Sequence, residues 1–170
     1  MNAVHAICPT EVVEAPIEVV WDLLSHPEGW GGFYDFRILS VEPAGRAVVG
    51  QRIAGETGPR FFHLKVSLQF VSIDEVNHRI GVRVCLPFGL LVFEDMECRR
   101  ISAEVCRVNY HCNFRFPGGL RGIVLKLLTQ RELQNGPRDS LMRLKNARPV
   151  VRAISPSARR ARAMRARCGR

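Results

Sequence analysis

The chain has 170 residues, a mass of 19.2 kDa, 46% hydrophobic residues and 24% charged residues. This length and composition fit one globular domain and exclude a fully disordered chain or an enzyme with separate cofactor and substrate lobes. The net charge of +9 belongs largely to residues 148–170, which contain eight Arg and no acidic residue. Residues 1–147 are therefore almost neutral, and the basic isoelectric point does not by itself indicate a nucleic-acid-binding domain.

The sequence also argues against membrane spans, export and metal centres. Its longest apolar run, residues 84–93, is interrupted by Pro87 and Gly89 and is far shorter than the roughly 20 residues of a membrane helix. The N-terminus lacks the basic start of a secretion signal, so we expect a cytoplasmic protein whose six cysteines are free thiols. No CxxC or zinc-finger spacing occurs, and we expect neither a metal nor a cofactor.

The N-terminal third predicts one strand followed by two short helices. Residues 2–14 are typical of a strand, and Pro16 suits the start of a helix because the N–H that it lacks would be unpaired there. Ser25 and Glu28 have the S-x-x-E spacing of a capping box, which predicts a second short helix ending at Gly31-Gly32.

A run of strands follows. Residues 36–41 and 47–54 flank a turn that contains Pro43 and Gly45, and residues 61–71 alternate between apolar and polar side chains. The same alternation recurs over residues 80–84.

Two further strands are predicted before the last helix. One covers residues 90–99, and residues 101–116 form the other, a long strand whose apolar positions change phase near Val105-Cys106. A change of phase within one strand indicates a β-bulge.

The segment 120–147 predicts one long C-terminal helix. Its apolar residues suggest a stripe that buries Ile123, Leu127 and Leu141 against the sheet. Pro137 is expected to break or kink this helix. Successive strands exclude a doubly wound α/β sheet. The sequence instead predicts an α+β fold in which a curved antiparallel sheet wraps around the long helix.

Four stretches carry a resemblance to a known superfamily: EAPIEVVWDLLSHPEGWGGFYD, AVVGQRI, CRVNYHCNFRFPGG and LLTQRELQNGPRDSLMRLKNA. They are similar to bacterial members of the START-like, SRPBCC superfamily, which includes polyketide cyclase/dehydrase-like proteins and the birch-pollen-allergen group. The likeness covers residues 2–147 and implies a helix-grip domain at 1–147, with 148–170 as a basic tail.

The resemblance implies binding or carriage of a small hydrophobic ligand, such as a lipid, in a cavity between sheet and helix. One alternative is a polyketide cyclase or dehydratase that uses an acid or base in the cavity. A second is adhesion to nucleic acid or an anionic membrane through the Arg-rich tail. The expected partner is a small hydrophobic molecule, with nucleic acid disfavoured, no insertion into a membrane, and a monomer or homodimer as the assembly.

Candidate residues for the cavity wall come from the apolar faces of the predicted elements. We expect the following residues to line it: Phe62, Leu64, Leu68, Phe70, Val82, Val84, Met96, Tyr110, Cys112 and Phe114 from strands, and Ile123 and Leu127 from the helix. Trp30 and Tyr34 lie in the Gly-rich stretch where helix-grip proteins often place the cavity mouth.

Glu94 is the candidate catalytic residue, and two interpretations of it remain open. It shares a strand face with Leu90, Val92 and Met96, and if that face is dry its pKa should rise, as suits a ligand anchor or a general acid. Alternatively, Leu91 and Phe93 mark the inner face and Glu94 lies in solvent. His111 and Cys112 are neighbours on a strand and point to opposite faces, so no Cys–His pair is expected between them.

Overall fold

A single antiparallel sheet forms the body of the computed structural model, which describes residues 4–34, 36–57 and 64–146. Its strands are β1 (Val4–Ile7), β2 (Thr10–Val13), β3 (Arg37–Glu42), β4 (Arg52–Thr57), β5 (Leu64–Asp74), β6 (Arg79–Cys85), β7 (Leu91–Ser102) and β8 (Val105–Arg115). The strand order is β1-β8-β7-β6-β5-β4-β3, and β2 also pairs with β8. The predicted antiparallel sheet is confirmed. The predicted tail at 148–170 lies outside the described residues, as does Phe62.

Within the residues that the structure describes, two α-helices and two short 3-10 helices accompany the sheet. Helix α1 (Ile17–Leu24) begins after Pro16, as predicted, and the 3-10 helices cover Pro27–Gly32 and Pro87–Gly89. Helix α2 (Gly119–Asn146) follows β8. Among the described residues, the helices are too short or too polar to cross a bilayer.

The first predicted strand is divided in two at Cys8-Pro9. Proline has no N–H to give to a sheet ladder, and here the Pro9 carbonyl instead accepts a hydrogen bond from the Tyr110 N–H at 3.0 Å. Both halves, β1 and β2, pair with the same strand, β8.

The second short helix is present, but the predicted capping box is wrong. The Ser25 hydroxyl donates to the Asp22 carbonyl at 3.2 Å, and Glu28 Oε1 accepts from the Gly45 N–H at 2.5 Å. Ser25 thus closes the preceding helix, while Glu28 fixes the β3–β4 loop.

A hairpin turn lies within the segment 101–116, which was predicted to form one long strand. Strand β7 ends at Ser102, the chain turns at Ala103-Glu104, and Val105 pairs with Ser102 at the start of β8. The prediction of one continuous strand over 101–116 is therefore wrong, but the register does shift beside Val105 and Cys106, between the pairs Arg100–Cys106 and Ser102–Val105. The buried positions are even-numbered on both strands, as in the pair Cys98–Val108, and the apparent change of phase comes from Ile101, which is exposed near the turn.

Helix α2 continues through Pro137 without the predicted break. A proline costs one helical hydrogen bond, but Leu141 and Leu144 beyond it are buried. Tertiary packing of such side chains supplies most helical stability in proteins and accounts for the uninterrupted helix. The helix contacts β2 and β8, and Lys145 Nζ lies 2.9 Å from Glu11 Oε2.

Only one of the three predicted helix anchors is buried. Leu141 packs in the core, whereas Ile123 is 60% exposed and Leu127 is 72% exposed, so their predicted burial is wrong. At roughly 100° per residue, the exposed apolar side chains of residues 120–128 point about 120° away from Leu133, Leu141 and Leu144. The two halves of α2 therefore present their apolar sides in different directions, and the structure packs the second half against the body.

Candidate ligand-binding site

Glu94 lies at the centre of the inner face of the sheet. In the register of β6, β7 and β8, Val82, Glu94 and Cys112 form one row across the three strands. The adjacent rows on the same face are Ile80–Met96–Tyr110 and Val84–Val92–Phe114. Every member of the three rows except Glu94 is buried, so one carboxyl group is surrounded by a largely apolar surface.

This placement decides between the two interpretations of β7. Val92 and Met96 are each 2% exposed, whereas Leu91 and Phe93 on the opposite face are only partly buried. Glu94 therefore belongs to the dry face, and the interpretation that put Leu91 and Phe93 inside is wrong.

The carboxyl group of Glu94 is incompletely satisfied. Its Oε2 atom is buried and has no hydrogen-bond partner among the described residues. Burial raises the pKa of Glu94 to about 8, and a smaller opposing effect comes from hydrogen bonding with Tyr110. A buried carboxyl without partners favours its neutral form.

Glu94 differs in exposure from its neighbours on the same strand face. Protein surrounds the carboxyl group deeply enough to raise its pKa, yet the residue keeps accessible surface where both strand neighbours on its face have almost none.

Tyr110 links Glu94 to the first third of the chain. Its hydroxyl donates to the Tyr34 hydroxyl oxygen at 3.1 Å. Burial and the neighbouring Glu94 raise the pKa of Tyr110, and burial likewise raises the pKa of Cys112 beside it. All three groups are therefore neutral near pH 7, and together with Tyr34 they offer hydrogen-bonding groups without net charge.

An aromatic cluster holds Tyr34 in place. Its ring stacks on Trp30 with centroids 5.3 Å apart and meets Phe36 edge-on at 4.9 Å. Trp30 also contacts Phe70, which connects the cluster to β5. Phe36 packs so closely over Gly55 that a Cβ there would lie 2.2 Å from its ring. Close packing of this kind requires a glycine at position 55.

The structure brings most of the predicted wall residues together on the inner face. The following are buried there: Leu68, Phe70, Val82, Val84, Met96, Tyr110, Cys112 and Phe114. Leu64 is partly exposed at the beginning of β5. Trp30 is fully buried behind Tyr34, so it supports that ring and does not itself line an opening. Their contacts with a ligand remain predictions.

Some residues of this region were not predicted. Val92 and Phe36 complete the buried surface, and Leu125 and Leu133 pack against the core beside the buried Leu141 and Leu144, whereas Ile123 and Leu127 do not. The alternation of β7 could have indicated Val92. Leu133, Leu141 and Leu144 lie within about 80° of one another around the helix axis, which could have indicated the side on which the second half of the helix packs.

Cys112 and His111, which are neighbours on β8, lie on opposite faces of the sheet. Cys112 is buried and His111 is exposed, as their neighbouring positions predicted. His111 Nδ1 instead lies 3.1 Å from Cys8 Sγ on the outer side of the sheet. Within the described ranges, no three His, Cys, Asp or Glu side chains are grouped to hold a metal ion.

Comparison with known proteins identifies the fold through structure alone. No family model matches the sequence, and no curated protein is significantly similar. Norcoclaurine synthase from Thalictrum flavum, a point mutant with a transition-state analogue, superposes with a TM-score of 0.63 and 14% identity over 86% of this chain and 94% of that chain. The Zhui aromatase/cyclase from a Streptomyces species gives a TM-score of 0.63 and 14% identity, covering 85% of this chain and 96% of that chain.

A protein from Thermus thermophilus is similar at a TM-score of 0.64 and 19% identity, covering 89% of this chain and all of that chain. Identities this low establish the fold and nothing finer. The helix-grip fold implied by the sequence resemblance is confirmed.

Proposed function

We propose that this helix-grip protein binds a small, uncharged and largely apolar ligand against the inner face of its sheet, and that Glu94 holds the ligand's one polar group. The observation that carries the proposal is the buried Glu94 Oε2 atom, which has no partner among the described residues. An unsatisfied buried polar atom is costly, and a ligand hydroxyl or carbonyl at this point would supply its missing partner.

The charge state of the site defines the ligand class. With a pKa of about 8, Glu94 is mostly protonated near pH 7 and donates a hydrogen bond. A carbonyl or hydroxyl oxygen suits this donor, whereas a carboxylate or sulfonate would be brought into apolar surroundings where the three described rows offer no cation to balance it. Tyr34 and Tyr110 lie within the same hydrogen-bonded group and can contact a second oxygen.

Two structural neighbours support a ligand of this size. One structure of the norcoclaurine synthase holds dopamine and hydroxybenzaldehyde, which are small aromatic molecules with polar substituents. The other neighbour is an aromatase/cyclase. At 12% and 14% identity, these proteins support the size and general chemistry of the ligand and leave its identity open.

Three naphthalene probes test the proposal: 2-acetonaphthone with a carbonyl, 2-ethylnaphthalene of similar shape without one, and the anion 2-naphthoate. Calorimetric or fluorescence titration should rank them in that order of affinity at pH 7. Glu94→Met should lower the ratio of the affinity for acetonaphthone to that for ethylnaphthalene by roughly tenfold, which corresponds to one lost hydrogen bond. Glu94→Gln keeps a donor and should retain most of the preference.

Glu97→Gln is the matched control, because Glu97 lies on the same strand but on its outer face beside Arg99. It should bind all three probes as the wild type does. Equal wild-type affinities for acetonaphthone and ethylnaphthalene would contradict the proposal, as would a preference that survives in Glu94→Met.

Acid catalysis in a cyclase or dehydratase is the second candidate, and the raised pKa of Glu94 favours it. Here Glu94 would transfer its proton to the substrate oxygen that it binds. Incubation with aromatic β-diketones followed by mass spectrometry distinguishes a carrier from an enzyme. A carrier returns them unchanged, whereas an enzyme converts them and loses roughly 100-fold in rate in Glu94→Gln while still binding them.

A further inference from the structure

The first half of α2 presents a stripe of large apolar side chains to solvent. Their exposed fractions lie between 46% and 76%, and the members are Leu120, Ile123, Val124, Leu127 and Leu128. At about 100° per residue they occupy one side of the helix. We call these five residues the exposed stripe. A continuous apolar surface of this kind generally marks an interaction site.

A sixth apolar side chain lies at the same end of the molecule. Phe88, in the β6–β7 loop, is 74% exposed and has a positive φ of 63°. The next residue, Gly89, is so close to Pro117 that a Cβ on it would lie 3.8 Å from the proline Cβ. This contact places the loop beside the turn that leads into α2, and so beside the beginning of the exposed stripe.

The charged residues in the stretch of helix that carries the exposed stripe are all basic. Arg121 is exposed and Lys126 partly exposed, and helical geometry places them beyond opposite edges of the stripe. Residues 119–131 contain no Asp or Glu, and the sequence after α2 adds the eight Arg of 148–170. An apolar stripe bordered by cations is the pattern of helices that lie in a membrane interface.

This charge pattern distinguishes two possible partners of the exposed stripe: a second copy of the chain and a membrane of anionic lipids. A second copy packed on it would bring its own Arg121 and Lys126 against those of the first, with no carboxylate in this stretch to pair with them. Anionic lipid headgroups complement the same cations. We propose that the exposed stripe docks the protein on the surface of an anionic membrane, with its leucines at the boundary between headgroups and acyl chains. The helix lies on the bilayer and does not cross it.

Vesicle co-flotation of the full chain tests this docking, which does not depend on Glu94 or on a bound ligand. Wild-type protein should float with vesicles of phosphatidylcholine and phosphatidylserine, less at high salt, and poorly with phosphatidylcholine alone. The double variant Leu127→Ser/Leu128→Ser leaves the charge unchanged and should lower the vesicle affinity at least roughly tenfold, because it removes apolar area from the interface.

Val76→Ser is the matched control, because Val76 is 85% exposed in the β5–β6 turn, at the other end of β6 from Phe88. It should float as the wild type does. Should Leu127→Ser/Leu128→Ser fail to fold, Leu120→Ser/Ile123→Ser tests the same surface.

Two results would overturn the proposal. Wild-type binding that persists in the folded double variant would assign any membrane affinity to the Arg-rich segment and not to the stripe. A wild-type dimer in sedimentation velocity that the double variant converts to monomer, without vesicle binding by either, would make the stripe an interface between copies. Unchanged acetonaphthone binding by the double variant separates failure of docking from failure of the ligand site.

Discussion

Glu94 and the exposed stripe of α2 depart from ordinary protein anatomy in opposite directions. At the centre of the sheet a carboxyl group lies among buried apolar side chains, whereas on the helix a run of apolar side chains lies in solvent. Either arrangement costs free energy in the isolated chain, since burial penalises the charge and exposure forgoes apolar contacts. The comparison indicates that a partner from outside the chain would stabilise both places. Glu94 needs a polar atom, and the exposed stripe needs an apolar surface.

The two places also differ in what surrounds them. Glu94 is held by strands with fixed register and lies in the same hydrogen-bonded group as Tyr110 and Tyr34. The exposed stripe lies on a helix whose fully buried leucines, Leu141 and Leu144, are in its second half. A ligand site benefits from such fixed geometry, whereas a docking surface needs only to be presented.

The largest expected effect is a difference in stability between leucine-to-alanine substitutions in the two halves of α2. Leu144 is 2% exposed. Leu144→Ala should lower the free energy of unfolding by about 2–5 kcal/mol, because the truncation leaves a cavity. Leu127→Ala should stay within about 0.5 kcal/mol, as is usual on a surface. Urea denaturation of both variants measures the difference. Similar losses would show that Leu127 is buried in solution and would end the comparison.

The second effect is the pH dependence of stability, which should show that Glu94 is protonated in the folded state. In the unfolded chain this carboxyl has its ordinary pKa of 4.5, whereas in the fold the pKa is about 8. Between these values the folded state holds the extra proton, so stability should fall as pH rises, by up to about 1.4 kcal/mol per pH unit. Below pH 4.5 both states are protonated and the full contribution is present; above about pH 8 it is lost.

Denaturation of wild type and Glu94→Gln from pH 5 to pH 8 measures this slope, since glutamine does not titrate. Hydrogen bonding lowers the pKa of Glu18 and Glu75, so those groups ionise below the window. Parallel curves for wild type and variant would mean that Glu94 is ionised and solvated in the fold.

The smallest effect concerns the hydrogen bond between the two tyrosines. Tyr34→Phe keeps the ring that stacks on Trp30 but removes the acceptor for the Tyr110 hydroxyl. The loss should be about 0.5–1.5 kcal/mol in thermal or chemical denaturation. Affinity for acetonaphthone should fall with it if Tyr34 and Tyr110 help to fix the ligand oxygen. An unchanged stability would place the two hydroxyls in contact with water.

Alternation predicted the sheet well, because β5 and β6 have one clearly polar face. It left Glu94 undecided since β7 is apolar on both faces, and only the register with Val82 and Cys112 assigns the inner one. The contact between Tyr34 and Tyr110 spans 76 residues, and nothing local in the sequence indicates it.

The helix shows a different limit of sequence analysis. Each half of α2 has helical apolar spacing, so its existence was predictable, but the half that packs on the sheet was not. The relative phase of Leu127 and Leu144 can be calculated from the sequence, whereas the choice between them depends on tertiary contacts with β2 and β8.

The pairing of β1 and β2 with β8 has a consequence for the order in which the protein forms. Val4 pairs with Arg115, so the first strands leave the ribosome long before their partner exists. Strands β5 to β8, by contrast, pair with neighbours along the chain. We expect this meander to assemble first during synthesis, because short loops close at lower entropic cost. Until β8 emerges, the N-terminal strands have unpaired edges. We therefore expect the nascent chain to be prone to aggregation and to benefit from a chaperone at the exit tunnel.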